Sequence, residues 1–84
     1  MAHEVTVMGR DGCHLCEVAE AEVARICGEL GVSWRAEDVD TDPEWRAEYG
    51  DRVPVILIDE REHGYWRVEE DRFRAALAAR RSTR

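Results

Sequence analysis

The chain has 84 residues, 19 acids against 12 bases and a formal net charge of −7. Such a length makes one small domain, residues 1–84, with no room for a second core. The acidic balance excludes a surface built to neutralise nucleic-acid phosphates, and the longest apolar run, Val53 to Ile58, cannot span a bilayer.

Hydrophobic residues make up 44% of the chain and charged residues 37%, too apolar a mixture for disorder. Every base is Arg and none is Lys, a coding bias of the kind a G+C-rich bacterial genome produces. The start, Met1-Ala2-His3-Glu4, has no basic or apolar leader, and the end, Ser82-Thr83-Arg84, has no lipidation box. The expected compartment is therefore a reducing cytoplasm.

Glu4 to Met8 alternates and carries β-branched residues, which predicts a strand. Gly9-Arg10-Asp11-Gly12 follows as a loop. From His14 to Leu30, Leu15, Val18, Ala19, Val23, Ile26, Cys27 and Leu30 recur every three or four residues, the pattern of one buried helical face. Gly31 is positioned to stop that helix. Val32 to Glu37 alternates again as a second strand. Thr41 or Asp42 then caps a short helix with Pro43 in its first turn, Trp45 and Tyr49 on one side and Gly50 at its end.

Val53 to Ile58 is nearly all apolar, as in a strand buried on both faces. Asp59 to Glu62 reads as a turn, Tyr65 to Val68 as a fourth strand, and Glu69 to Arg81 as a last helix with Phe73, Ala76, Leu77 and Arg80 on one side. The order is β-α-β-α-β-β-α. Its first three elements suit a right-handed parallel crossover, and its last two strands a hairpin.

Three cysteines, Cys13, Cys16 and Cys27, do not make a structural disulfide framework. Cys27, farther along the same helix, reads as a small core hydrophobe. Cys13-His14-Leu15-Cys16 sits where a strand and loop give way to a helix. There the unsatisfied backbone N–H groups and the positive end of the dipole favour thiolate over thiol. Cys13 is outermost, the expected nucleophile. Cys16 lies inside the first turn, the expected resolving thiol. His14 and Arg10 are placed to add to the local field. Pro54 stands at the mouth of an apolar strand, where an X-Pro bond can be cis, and the exposed backbone of the residue before it, Val53, can then pair with an extended substrate.

A C-x-x-C at a helix start, followed about 40 residues later by Val53-Pro54, resembles the thioredoxin superfamily. The shortness of the chain resembles glutaredoxins and short bacterial glutaredoxin-like proteins. So do the stretches Gly12 to Glu17, Asp38 to Glu44 and Tyr49 to Val55. The resemblance implies an α/β thioredoxin-like fold: a four-stranded mixed sheet in order 2-1-3-4, flanked by three helices, with Pro54 cis and opposite the cysteines. It also implies a dithiol–disulfide oxidoreductase that reduces protein or glutathione mixed disulfides. Arg10 matches the basic residue directed at a glutathione carboxylate, and Arg52 is placed to serve likewise.

This chain has His14-Leu15 where glutaredoxins usually have Pro-Tyr, and Gly64 where they have a glycine pair. It has Gly12 where thioredoxins have Trp. The expectation is a monomer with no tightly bound cofactor and no membrane or nucleic-acid partner. Glutathione is a candidate co-substrate, and an external thiol supplies electrons.

Two other readings stand beside this one. Cys13 is a possible ligand of an iron–sulfur cluster bridging two chains with two glutathiones, or the fold is a redox-inactive interaction module. A zinc site lacks ligands, because there is no second C-x-x-C and His3, His14 and His63 are scattered. Haem attachment fails at Glu17, which stands where His is needed. The run Asp38, Asp40, Asp42 starts like a calcium loop but places Pro43 and Tyr49 where that loop needs Gly and Glu.

Overall fold

The computed structural model describes residues 3–79. Its elements are strand β1 (Glu4–Gly9), helix α1 (His14–Leu30), strand β2 (Ser33–Asp38), a 3₁₀ turn (Val39–Thr41), helix α2 (Pro43–Tyr49), strands β3 (Val55–Ile58) and β4 (Arg61–Tyr65), and helix α3 (Glu70–Ala78). The sheet runs β2-β1-β3-β4. β1 and β2 are parallel, joined across α1, while β3 lies antiparallel to both β1 and β4. The thioredoxin-like architecture expected from the resemblance, with its strand order, is present.

Alternation along the central strands splits the core between two faces of the sheet. Val5, Val7 and Ile56 meet Ala19, Val23, Ile26 and Cys27 of α1 and Phe73 and Leu77 of α3. Met8, Val55 and Leu57 face the other way, onto Val39, with Trp45, Tyr49 and Val53 packed around them. Both central strands are therefore covered on both sides, which is why Val55 to Leu57 can be continuously apolar.

The helix ends follow local chemistry. Gly31 closes α1 at φ 70°, and its neighbour's N–H (Val32) reaches the Cys27 carbonyl at 2.9 Å. Asp42 caps α2 by accepting from the Glu44 N–H at 2.8 Å, with Pro43 in the first turn. Near the N-terminus, His3 is buried. Its Nε2 donates to the Ala79 carbonyl at 2.8 Å, and its Nδ1 faces Asp59 Oδ2 at 2.6 Å.

Two expectations need correction. The α1 face is narrower than its periodicity suggests: Leu15, Val18 and Leu30 are exposed, and Cys16 takes a buried place on the first turn. The fourth strand is Arg61–Tyr65 and not Tyr65–Val68. Asp59 and Glu60 form a two-residue turn with φ of 53° and 68°, so pairing resumes at once, Ile58 against Arg61. His63 is then the extra residue of a bulge between the Ile56–Gly64 and Leu57–Glu62 pairs, which breaks the alternation a reader would look for. Trp66, at φ 73°, leaves the strand, and Tyr65 and Trp66 are both exposed, ring against ring at 5.0 Å. Helix α3 starts at Glu70 and is described to Ala78; the predicted extension to Arg81, including Arg80 on its apolar side, lies outside the described residues.

Candidate functional site

β1 delivers the chain to the site. Its last residue, Gly9, lies against the first turn of α1: an added Cβ would stand 3.1 Å from Cys16 Cβ and 3.3 Å from Cys16 Sγ. Only a residue without a side chain lets the strand end approach the cysteine this closely. Gly12, at φ 75°, then reverses the chain into the helix, and the Cys13 N–H donates to the Arg10 carbonyl at 3.3 Å.

Cys13 is the N-cap of α1. Its Sγ accepts from the Cys16 backbone N–H at 3.2 Å, the role a Ser or Asp oxygen plays at other helix starts. Cys13 and Cys16 are joined as a disulfide across this first turn, with their Cα atoms 5.2 Å apart. Cys13 is half-buried and Cys16 is 1% exposed, so a reagent arriving from solvent meets Cys13 first. Cys27 is fully buried in the core, and burial pushes its thiol pKa up, the state of an unreactive cysteine.

The opposite wall comes from β3. Met8 pairs with Val55, so the segment entering β3 lies at the same end of the sheet as the loop leaving β1. The Val53–Pro54 bond is cis. The Pro54 carbonyl accepts from the Trp66 N–H at 2.7 Å. Among the described residues, no backbone group pairs with the N–H or C=O of Val53.

Of the other candidates, His14 is exposed on the first helical turn. The two arginines are engaged elsewhere on the protein. Arg10 donates from Nε and Nη2 to the two carboxylate oxygens of Asp40, at 2.9 and 3.3 Å, and from Nη1 to the Gly50 carbonyl at 3.3 Å. Arg46 shares that carboxylate, Nε to Oδ1 at 3.3 Å. The Arg10 hydrogen bond holds the Asp40 carboxyl below the usual carboxylate range. Arg52 donates from Nε and Nη2 to Glu62, at 3.3 and 2.8 Å, and from Nη1 to the Glu48 carbonyl at 2.8 Å, with its guanidinium 5.8 Å from the centre of the Tyr49 ring.

Asp40 and Glu62 were not legible as site residues. They lie 30 and 10 positions from their arginines, and nothing local marks a carboxylate as a partner. Between the Cys16 turn and the end of β2 runs a cleft of about 390 Å³, lined by Asp11, Glu17, Glu20, Glu37 and Asp38. Among the described residues, no helix is long and apolar enough to cross a membrane.

The model of the glutaredoxin-like domain (DUF836) matches residues 4–78. An uncharacterized protein of Mycobacterium tuberculosis is 44% identical over 80 residues, spanning 89% of this chain and 82% of its own length. The solution structure of a Nitrosomonas europaea protein, Ne2328, superposes with a TM-score of 0.82 at 26% identity, covering 93% of this chain and 94% of that one. Fasciola hepatica thioredoxin superposes with a TM-score of 0.60 at 21% identity, over 90% of this chain and 78% of its own, a likeness of fold.

Proposed function

The chain belongs to the glutaredoxin-like domain family, and from that premise we propose that it is a dithiol–disulfide oxidoreductase acting through Cys13 and Cys16. The observation that carries the reading is the Cys16 N–H donating to Cys13 Sγ at the first turn of a 17-residue helix. A backbone donor and the positive helix end both stabilise negative charge on that sulfur, and the thiolate is the attacking species.

In the reduced protein, the Cys13 thiolate attacks one sulfur of a substrate disulfide. A Cys13–substrate disulfide forms, the substrate S–S bond breaks, and the departing thiolate takes a proton from water. Cys16 gives up its proton and attacks Cys13 Sγ. The mixed disulfide breaks, the second substrate thiolate leaves, and the Cys13–Cys16 disulfide closes. Two electrons have passed to the substrate. The cycle restarts when an external thiol, glutathione or a reductase-linked dithiol, reduces the pair.

Val53, whose N–H and C=O have no backbone partner among the described residues, offers them to an extended substrate, held beside the cysteines by Pro54. His14, exposed on the same turn, faces the incoming substrate. Arg10 and Arg52 contribute through the carboxylates that hold them. We place the protein as a monomer in a reducing cytoplasm, with a disulfide-bearing protein or glutathione as its partner.

The test uses mass spectrometry of the pre-reduced protein mixed with 2-hydroxyethyl disulfide. Wild type is expected to lose two hydrogens (two protons and two electrons) without retaining an adduct. Cys16→Ser is expected to trap a one-to-one mercaptoethanol adduct, and Cys13→Ser none. An adduct retained by Cys13→Ser and absent from Cys16→Ser would reverse the roles. No oxidation of the wild type would remove the activity.

A further inference from the structure

We propose that Asp40 and Glu62 set the charge preference of the dithiol: closed onto Arg10 and Arg52, they withdraw both arginines from substrate recognition, so that the site takes disulfides with neutral or cationic flanks in preference to anionic ones. The inference rests on the dithiol reading above and narrows its substrate class.

An anionic disulfide needs cations with free donors beside the reacting sulfur. The two segments that frame the cysteines carry one arginine each, Arg10 before the Cys13 turn and Arg52 before Val53. Each nitrogen of both guanidiniums already makes a hydrogen bond to the protein, which spends three of the five N–H donors on each and fixes the direction of the rest. Asp40 and the Gly50 carbonyl take all three from Arg10. Glu62 and the Glu48 carbonyl take all three from Arg52. Glu62 offsets the charge of Arg52, and Asp40, which Arg46 also approaches, offsets part of the charge of Arg10. What remains around Cys16 is the cleft, on whose wall Arg10 is the one base among five carboxylates. A substrate arriving at Cys13 therefore meets a negative field, which raises the local concentration of cations and lowers that of anions.

The chemistry of the step is unchanged: a pre-reduced dithiol gives two electrons to one disulfide and releases two thiols. The experiment is a single-turnover rate measurement with pre-reduced full-length protein, so no further reductant enters. The probes are cystamine (cationic), 2-hydroxyethyl disulfide (neutral) and glutathione disulfide (anionic), each normalised to its rate with dithiothreitol. Wild type is expected to prefer them in that order, with the spread shrinking as salt rises. Asp40→Asn and Glu62→Gln keep side-chain shape while removing one charge each. Each is expected to raise the glutathione disulfide rate relative to cystamine by roughly four- to ten-fold at low salt, since one unit charge about 10 Å away through water is worth about two-fold per probe charge and the two probes differ by several charges.

Glu29→Gln removes the same charge at the far end of α1, about 24 Å along the helix from Cys13, and is expected to leave the ratio unchanged. Two disulfide-bridged peptides, alike except for arginine or glutamate flanks, repeat the comparison on polypeptide; the arginine form is expected to react faster. Equal or reversed preference between cystamine and glutathione disulfide, or between the two peptides, overturns the proposal. So does a ratio that Glu29→Gln shifts as much as Asp40→Asn, since net charge would then suffice. If 2-hydroxyethyl disulfide itself is not reduced, the dithiol reading falls and this inference with it; if it is reduced without a charge preference, only the inference falls.

Discussion

The approach of β1 to the dithiol turns on a single hydrogen atom, the Gly9 side chain. Gly9→Ala is free of backbone objection, since Gly9 lies outside the left-handed region. Its Cβ would meet Cys16 Cβ at 3.1 Å, Cys16 Sγ at 3.3 Å and Glu20 Oε2 at 3.6 Å. Non-bonded carbons prefer about 3.5–4.0 Å, so strand and helix must part by roughly half an ångström. Cys16 has little room to yield, being buried in the first turn and tied to Cys13.

Over-packing of this kind costs about 1–3 kcal/mol. Loss of glycine's freedom in the unfolded chain returns about 0.4–1 kcal/mol. The expected net loss is about 1–2 kcal/mol. With a urea slope near 1 kcal/mol/M for a chain this small, the midpoint falls by about 1–2 M.

Gly28→Ala is the internal contrast. Gly28 is exposed on α1, and nothing lies within 4 Å of an added Cβ there. Removing a helical glycine is worth about 0.8–1.0 kcal/mol, so this midpoint rises by just under 1 M. The assay is urea unfolding of the oxidised proteins followed by far-UV circular dichroism. A Gly9→Ala protein as stable as wild type, beside a Gly28→Ala protein that gains as expected, would refute the close packing of Gly9 on Cys16.

Two other predictions concern groups outside the dithiol. The His63 side chain packs 5.8 Å from the Phe73 ring, and its buried Nε2 has no hydrogen-bond partner among the described residues. Burial lowers its pKa below the ordinary 6.5, Arg72 adds to the lowering, and Glu69 opposes it. A histidine held neutral in the fold contributes stability above the unfolded-state pKa and loses it as pH falls through that value. Wild type should therefore lose stability relative to His63→Gln between about pH 7.5 and 5.5; parallel urea midpoints across that range would count against it. Cys27→Ala should cost about 1 kcal/mol, the scale for removing one buried group the size of a methylene, and leave Cys13–Cys16 oxidation unchanged. Slowed dithiol oxidation in that variant, followed by thiol counting, would place Cys27 in the redox chemistry instead of the core.

Features set by neighbours in the chain were readable from the residues alone. The helix from His14 to Leu30 and its stop at Gly31 follow from periodicity and a left-handed closing residue. The Asp42-Pro43 start of α2 is a capping hydrogen bond between residues two apart. Cys13 and Cys16 one helical turn apart at a helix start already specify an outer and a shielded sulfur, because the geometry of a first turn depends on nothing distant.

The tertiary structure decided what depends on pairing across long stretches of chain. Sequence spacing could not show that Leu15 and Val18 face solvent, because the width of a buried stripe is set by what packs on it, and among the described residues no element covers that part of the first turns. The β4 bulge at His63 is a matter of register against β3, invisible in a segment that neither alternates nor carries the usual turn glycine. The state of the two arginines is the sharpest case. Taken alone, Arg10 and Arg52 are free cations next to a reactive site. Folding brings Asp40 and Glu62 onto them, and a charge's effect depends on the nearest opposite charge, which only the three-dimensional arrangement supplies.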